Sequence, residues 1–116
     1  MVKIPTFQNT AADFVQEINL GGQLVELRII FDIRNQSFHL EFTDQNSNQI
    51  LGIKMVPNWL LLDSHKGFTD FIGDLLILKT NEDAGDEITF DNLDNGWALN
   101  FLTPDEVSVW KTDNGF

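Results

Sequence analysis

The side chains that most often do chemistry in proteins are few in this sequence, and they are scattered. His39 lies in an alternating segment and His65 in a connection, and neither belongs to a His-Glu-x-x-His or His-x-His motif. We therefore expect no histidine metal site and an exposed His39 on a strand. None of the four serines lies in a Gly-x-Ser-x-Gly motif, and the sequence has no P-loop and no Gly-x-Gly-x-x-Gly. Serine-hydrolase and nucleotide chemistry are therefore unsupported.

The densest group of ionisable side chains lies between Asn81 and Asn95. Six acids fall within thirteen residues: Glu82, Asp83, Asp86, Glu87, Asp91 and Asp94. Carboxylates bind hard cations such as Ca²⁺, but their spacing here does not match an EF-hand loop. One crowded loop also does not provide two carboxylates across a cleft, as a glycosidase requires. We expect a solvated loop of mutually repelling acids, with a cation site or a docking patch for a basic neighbour as alternatives.

The composition narrows the classes of function further. The 116 residues include no Cys, which excludes disulfides, thiolate metal sites and Cys nucleophiles. The net charge of −11 repels phosphate backbones and anionic lipids, so we expect no nucleic-acid partner. No apolar segment approaches the roughly 18 residues of a membrane span, so we expect no membrane insertion. We predict a protein that is not an enzyme and that needs no cofactor or metal.

Alternating apolar and polar residues predict a meander of strands in the first half of the chain. A strand at Phe14–Leu20 ends at the turn Gly21-Gly22, and a long strand follows at Gln23–Arg34. The polar turn Asn35-Gln36 then leads into a strand at Ser37–Thr43.

A fourth strand follows a turn, Asp44–Asn48, that we expect to be solvated. Leu51, Ile53 and Met55 alternate with other residues and share one face, and Pro57 should end the strand because it has no N–H to donate.

The second half of the chain is less regular. Asn58–Leu62 is apolar and of ambiguous type, and one helical turn around His65–Ile72 is the only helix candidate. Gly73–Lys79 is apolar on both faces, which predicts a strand that is central or lies at an interface. Trp97–Leu102 alternates again, and Pro104 should end that strand.

These segments predict an all-β fold: a single small antiparallel β-sandwich or closed barrel of about six to seven strands, with a short helical turn at most. We expect one β-domain over residues 1–116, with an N-terminal arm at 1–10 and a C-terminal tail at 103–116. The tail carries three apolar residues: Val107, Val109 and Trp110.

Apolar side chains also occur where a one-sided sheet would carry polar ones. Either these second faces are buried in a sandwich or they meet another subunit. Trp59 and Trp110 lie in irregular segments, and Trp is enriched in interface hot spots, with core packing as the alternative for each. The candidate interface residues are Val56, Pro57, Asn58, Trp59, Leu76, Leu78 and Trp110.

Five segments together resemble one known family in order and character. They are Leu20–Arg28, Arg34–Leu40, Gly52–Leu61, Gly73-Asp74-Leu75 and Asp91-Asn92-Leu93. The sharpest is Gly52–Leu61, which contains Val-Pro-Asn-Trp. In these segments the chain resembles the phage baseplate plug family, small proteins of contractile and related tails. It departs at Phe38, where the family often has Trp, and at Asp94, where the family has Gly, and the tail after Thr103 has no clear counterpart.

The resemblance implies a virion structural protein of the tail baseplate. It implies a plug or adaptor at the hub near the tail axis, acting through subunit contacts without catalysis. The implied partners are the hub, tail tube and spike proteins and copies of the chain itself. The implied location is the virion, after synthesis in the host cytoplasm.

Two other functions remain open from the residues alone. A carbohydrate- or receptor-binding β-sandwich would expose Trp59, Trp97 and Trp110 as a platform. An acidic inhibitor that mimics nucleic acid would need its acids spread over one face rather than concentrated in a loop.

Overall fold

The computed structural model describes residues 1–4, 13–32, 34, 37–80, 82, 85, 88 and 96–115. Within them the strands are β1 (Val2–Ile4), β2 (Asp13–Leu20), β3 (Gln23–Asp32), β4 (Ser37–Thr43), β5 (Gln49–Lys54), β6 (Asp74–Lys79) and β7 (Trp97–Leu102). A 3₁₀ helix spans Asp63–Phe68, and the α-helix α1 spans Pro104–Asp113. The predictions for residues 5–10, for Ile33, for the turn Asn35-Gln36 and for most of the acidic loop lie outside the described residues.

Four strands form an antiparallel meander sheet in the order β2-β3-β4-β5. In β3, Val25, Leu27 and Ile29 are buried, while Glu26 and Arg28 lie on the opposite face. The period of two in the sequence therefore corresponds to one buried face and one face that carries the charged residues, and the strand order confirms the predicted meander.

The alternation is broken in β5 by a β-bulge. Leu40 pairs with Ile53 but Phe42 pairs with Ile50, so Glu41 of β4 faces two residues of β5. Gly52, one of these two, has φ = +72°, a conformation that favours glycine. The expectation that Leu51 shares the core face with Ile53 is therefore wrong: Leu51 is 62% exposed and Ile50 is buried.

Three strands form a second sheet in the order β1-β7-β6. β7 is its central strand and β6 lies at its edge, although the apolar run Gly73–Lys79 predicted a central or interface position. The segment before the 3₁₀ helix runs along this edge, where Asn58 N donates to Ile77 O (2.9 Å) and Leu61 N to Leu75 O (3.0 Å). The edge of β6 is thus partly paired by the chain itself.

The main core lies between the two sheets. Phe71 joins them, because its ring makes edge contacts with Phe42 of the meander sheet (centroids 5.0 Å apart) and with Phe101 of the second sheet (5.7 Å). The described strands form two separate antiparallel sheets rather than one closed barrel. The all-β sandwich prediction is confirmed.

The C-terminal segment, expected to be an apolar tail, forms the ten-residue helix α1. A capping box starts it: Thr103 Oγ1 accepts from Glu106 N (3.4 Å), and Glu106 Oε1 accepts from Thr103 N (3.0 Å). Val107 and Trp110 pack on a second apolar cluster, formed by Leu60, Leu76 and Leu102. This cluster lies on the outer side of the second sheet, so α1 adds a third layer over part of it.

Residues 2–4, within the predicted N-terminal arm, form β1 and pair with β7. No helix in the part of the chain that the structure describes is long and apolar enough to cross a membrane.

Candidate functional site: exposed apolar residues on anchored loops

The turn after β5 presents two of the predicted interface residues to solvent. Met55 is buried and its N–H donates to Phe38 O (3.0 Å), while Asn58, with φ = +58°, donates to β6. Val56 lies between these two anchors and is 37% exposed, and Trp59 follows Asn58 and is 53% exposed. The Val56–Trp59 turn is therefore held at both ends and carries apolar side chains outward.

The other predicted interface residues lie around the cluster beneath α1. Leu76 is completely buried within the chain, so its side chain contacts no partner in this conformation. Leu78 and Trp110 are partly buried against the same cluster. The structure thus brings Leu76, Leu78 and Trp110 together and leaves Leu78 and Trp110 partly accessible.

Trp110 also lines an open cleft of about 350 Å³ beside α1. Its apolar lining includes Met1 and Val109, and its rim includes the exposed carboxylates of Asp105 and Asp113. Among the described residues, two ion pairs attach this helix to the rest of the chain, one from the Met1 amino group to Glu106 and one from Lys111 Nζ to Asp63 Oδ1 (2.8 Å).

A second exposed apolar pair lies at the end of the 3₁₀ helix. Phe68 is 70% exposed and Ile72 is 60% exposed, whereas Phe71 between them is buried. The sequence signal that could have identified this pair is weak, because an apolar residue near a loop predicts burial as readily as exposure. Phe68 and Ile72 are exposed because the loop at residues 68–72 is anchored with the side chain of Phe71 turned into the core.

One anchor of this loop is the buried carboxylate of Asp44, in a turn that we expected to be solvated. It accepts from Thr69 Oγ1 (2.6 Å) and Asp70 N (3.2 Å), and from the N–H groups of Asn46 and Asn48 (2.9 Å each). Burial raises the pKa of Asp44, but hydrogen bonds from Thr69, Asn48 and Asp70 outweigh it and lower the pKa to about 2. Asp44 thus joins the β4–β5 turn to the loop as a carboxylate.

A second anchor is Gln23, at the start of β3. Its side chain binds the backbone of Ile72 twice, with Ile72 N donating to Oε1 (2.8 Å) and Nε2 donating to Ile72 O (3.0 Å). The Lys66 ammonium donates to the carbonyl groups of Gly73 and Phe71. The backbone of the loop is therefore bonded on several sides.

Gly73 ends the loop in a conformation that only glycine fits. Its φ is +112°, and a Cβ atom there would lie 2.4 Å from Leu102 O and 2.6 Å from Phe101 Cε1. Sterics therefore explain why glycine occupies the first position of Gly73-Asp74-Leu75, one of the segments that resemble the family.

Asp74, the next residue, is a fully buried acid. Its Oδ1 accepts from Leu62 N (2.8 Å) and Leu75 N (2.7 Å), while its Oδ2 has no hydrogen-bond partner among the described residues. Burial raises the pKa of Asp74, against the effect of these two donors and of the nearby Lys66 charge. Burial also lowers the pKa of Lys66, against the attraction of Asp74 and Asp63.

The outer face of the meander sheet carries charged side chains together with exposed apolar ones such as Val15 and Leu24. Glu17 and Glu26 lie opposite each other on β2 and β3, and Arg28 Nη1 lies 3.5 Å from Glu41 Oε2. His39 is half-buried on this face, and His65 lies in the 3₁₀ helix. Among the described residues, no group of three or more His, Asp and Glu is arranged to hold a metal ion.

The three tryptophans do not form a shared platform. Trp97 is only 2% exposed, and its ring lies 5.4 Å from Lys79 Nζ. The carbohydrate-binding hypothesis in its three-Trp form is therefore wrong, because one member of the platform belongs to the core.

The fold and these surfaces define a class: a small two-sheet β-sandwich protein with a helix packed on part of its second sheet. Some of its exposed apolar residues lie on anchored loops: Val56, Trp59, Phe68 and Ile72. The family model described as cyanophage baseplate Pam3 plug gp18 matches residues 1–104. The chain belongs to this family of phage baseplate plug proteins, and the resemblance found in its sequence is confirmed. The match ends at the first residue of α1. The comparison with individual curated proteins gives no match.

Proposed function

We propose that this chain is a structural protein of the phage tail baseplate that acts as a plug or adaptor at the hub near the tail axis. It works through contacts with hub, tail tube and spike proteins and with copies of itself, without catalysis. It is made in the host cytoplasm and resides in the virion. Family membership supports the baseplate role.

The observation that carries the adaptor role is the exposure of the Val56–Trp59 turn. This turn lies in the segment that most resembles the family, and its backbone is held by Asn58 N and Met55 N. A large aromatic side chain on a fixed backbone loses less conformational freedom on binding than one on a mobile segment, so more of the free energy of its burial appears as affinity. Pro57 restricts the turn further, because its ring fixes φ.

The proposed contact surface consists of Val56, Pro57, Asn58, Trp59, Leu78 and Trp110. Leu76 is left out because it is buried within the chain. The acidic rim of the neighbouring cleft and the net charge of −11 favour basic surfaces on the neighbours. The acidic loop, of which only Glu82 among its six acids is described, is a further candidate for such a contact.

The proposal is tested with the purified chain and the purified hub, tube and spike proteins of the same phage. We expect the chain to bind at least one of them, and Trp59→Ala to weaken that binding by about tenfold or more, as for a hot-spot residue. Leu51→Ala is the matched control, since Leu51 is also exposed but lies on the bulge of β5. Virions that contain no copy of the chain, or a wild-type chain that binds none of the three proteins, would contradict the proposal.

A further inference from the structure

Phe68 and Ile72 expose more of their apolar side chains than most large hydrophobic residues in the described part of the chain, at 70% and 60%. Single exposed apolar residues are common on protein surfaces and need no explanation. Two of them on one anchored loop are different, because the anchors prevent the loop from collapsing to bury them.

The anchors are independent of one another and come from different elements. Phe71 inserts its ring between Phe42 and Phe101, and the Asp44 carboxylate bonds Thr69 and Asp70 at the middle of the loop. Further along, the Gln23 side chain bonds both backbone groups of Ile72, and the Lys66 ammonium bonds the carbonyl groups that flank it.

Two of these anchors, Asp44 and Gln23, are buried polar side chains, which cost free energy to desolvate unless they are bonded. They hold a loop whose two outward side chains contribute little to the core. The loop is therefore pre-organised, and pre-organisation lowers the entropy cost of binding a partner.

The charge around the pair indicates the kind of partner. Asp70 lies between Phe68 and Ile72 in the sequence and is exposed, and its Oδ2 accepts a hydrogen bond from Asn46 Nδ2 (3.2 Å). A second copy would bring the same carboxylate and the same net charge of −11 to the contact, which is unfavourable. A basic partner surface would be attracted both by the Asp70 carboxylate and by the net negative charge of the chain.

We propose that Phe68 and Ile72 are paired anchors that dock into an apolar pocket with a basic rim on another baseplate protein, and that Asp70 meets that rim. This inference rests on the proposed function and names a contact beyond the Val56–Trp59 turn. The partner is distinct from a second copy of the chain.

The test uses full-length chain and the purified hub, tube and spike proteins of the same phage, with dissociation constants measured for each pair. Phe68→Gln and Ile72→Gln should each weaken binding by about tenfold or more, and Asp70→Lys should weaken it and reduce its dependence on salt concentration. Leu51→Gln and Val15→Gln are the matched controls, since both residues are exposed strand positions outside this loop. All five variants should keep the thermal midpoint of the wild-type chain, because the anchoring groups are unchanged.

A photo-crosslinking amino acid at position 68 identifies the occupant directly. We expect crosslinks to apolar residues of a baseplate protein that are flanked by Lys or Arg. Crosslinks to a second copy of the chain overturn the inference.

The remaining outcomes separate the inference from the proposed function. A double variant, Phe68→Gln with Ile72→Gln, that binds as the wild-type chain does overturns the inference while the proposed function stands. The inference is also overturned, and the proposed function stands, if the control variants Leu51→Gln and Val15→Gln lose as much affinity as Phe68→Gln and Ile72→Gln. A wild-type chain that binds none of the three proteins overturns both.

Discussion

At the scale of single residues, two buried aspartates show how hydrogen bonding decides the state of a carboxyl group. Asp44 receives donors on both oxygens and its pKa falls, whereas Asp74 receives donors on one oxygen only and its pKa rises. Burial acts in the same direction on both. The difference lies in the deeper burial of Asp74 and in the larger number of donors that satisfy the charged form of Asp44.

The pKa of Asp44 leads to a prediction about acid. Because the pKa falls from 3.8 in the unfolded chain to about 2 in the folded protein, the carboxylate stabilises the fold above about pH 4. This stabilisation, on the order of 2 kcal/mol, is lost as the pH falls from about 4 to about 2. Urea unfolding across this range should show a smaller loss of unfolding free energy in Asp44→Asn than in the wild-type chain.

Glu82→Gln is the matched control for this experiment, since Glu82 is an exposed acid that lies outside both the β4–β5 turn and the 68–72 loop. It should follow the wild-type pH dependence. If Asp44→Asn also follows the wild-type curve throughout this range, the hydrogen-bonded carboxylate contributes nothing to acid stability.

The sequence does not reveal the role of Asp44. An Asp followed by Gln, Asn, Ser and Asn is typical of a solvated turn, and the local bonds to Asn46 and Asn48 agree with that. The partners that explain its burial, Thr69 and Asp70, lie about 25 residues further along the chain. Only the tertiary fold brings them together.

At the scale of elements, the bulge in β5 decides which side chains enter the core. Strict alternation predicts Leu51 with Ile53 and Met55, and the inserted residue places Ile50 in the core instead. A glycine within a strand is a known signal of a bulge, and Gly52 carries it here. Pattern alone does not indicate on which side of the glycine the register changes.

This register leads to a prediction for two neighbouring residues. Ile50→Ala should lower the unfolding free energy by about 2–5 kcal/mol, because it removes buried methyl groups and leaves a cavity. Leu51→Ala should change it by less than about 0.5 kcal/mol, because Leu51 is exposed. Urea denaturation of both variants measures the difference, and a larger effect at Leu51 than at Ile50 contradicts the register.

The sequence contains a local signal for the start of helix α1, although the strand pattern alone indicates only that Pro104 ends a strand. Thr103, Pro104 and Glu106 occupy the N-cap, first and third positions of a capping box. Pro104 is also a strand terminator, and both roles apply: it ends β7 and begins the helix. The sparse apolar residues of α1 give little helical periodicity, which is why the composition of this segment resembles a tail.

At the scale of the whole molecule, the chain has three layers over part of its area: the meander sheet, the second sheet and α1. The third layer explains why β6 is apolar on both faces although it lies at an edge. Leu75 and Ile77 face the main core, and Leu76 faces the cluster beneath α1. The β1–β7 pairing joins strands distant in sequence, and no local pattern predicts it, whereas hairpins between neighbours in the meander follow from their turns.

The attachment of α1 can be measured with two residues of the same helix. Trp110→Ala should lower the unfolding free energy by about 1–3 kcal/mol, since Trp110 packs partly buried on the cluster of Leu60, Leu76 and Leu102. Val109→Ala should have an effect below about 0.5 kcal/mol, since Val109 is 61% exposed. Equal effects of the two variants in urea denaturation would indicate that α1 does not stabilise the sandwich through this face.

The position of Phe71 between the two sheets has a mechanical consequence. A force that pulls on Phe68 or Ile72 reaches Phe71 within the same short loop, and from there passes to Phe42 in one sheet and Phe101 in the other. Part of the load therefore reaches both sheets through this ring, in addition to the part that the backbone carries through Gly73 into β6. A tether fixed in this way passes tension into both layers of the sandwich rather than into a single strand.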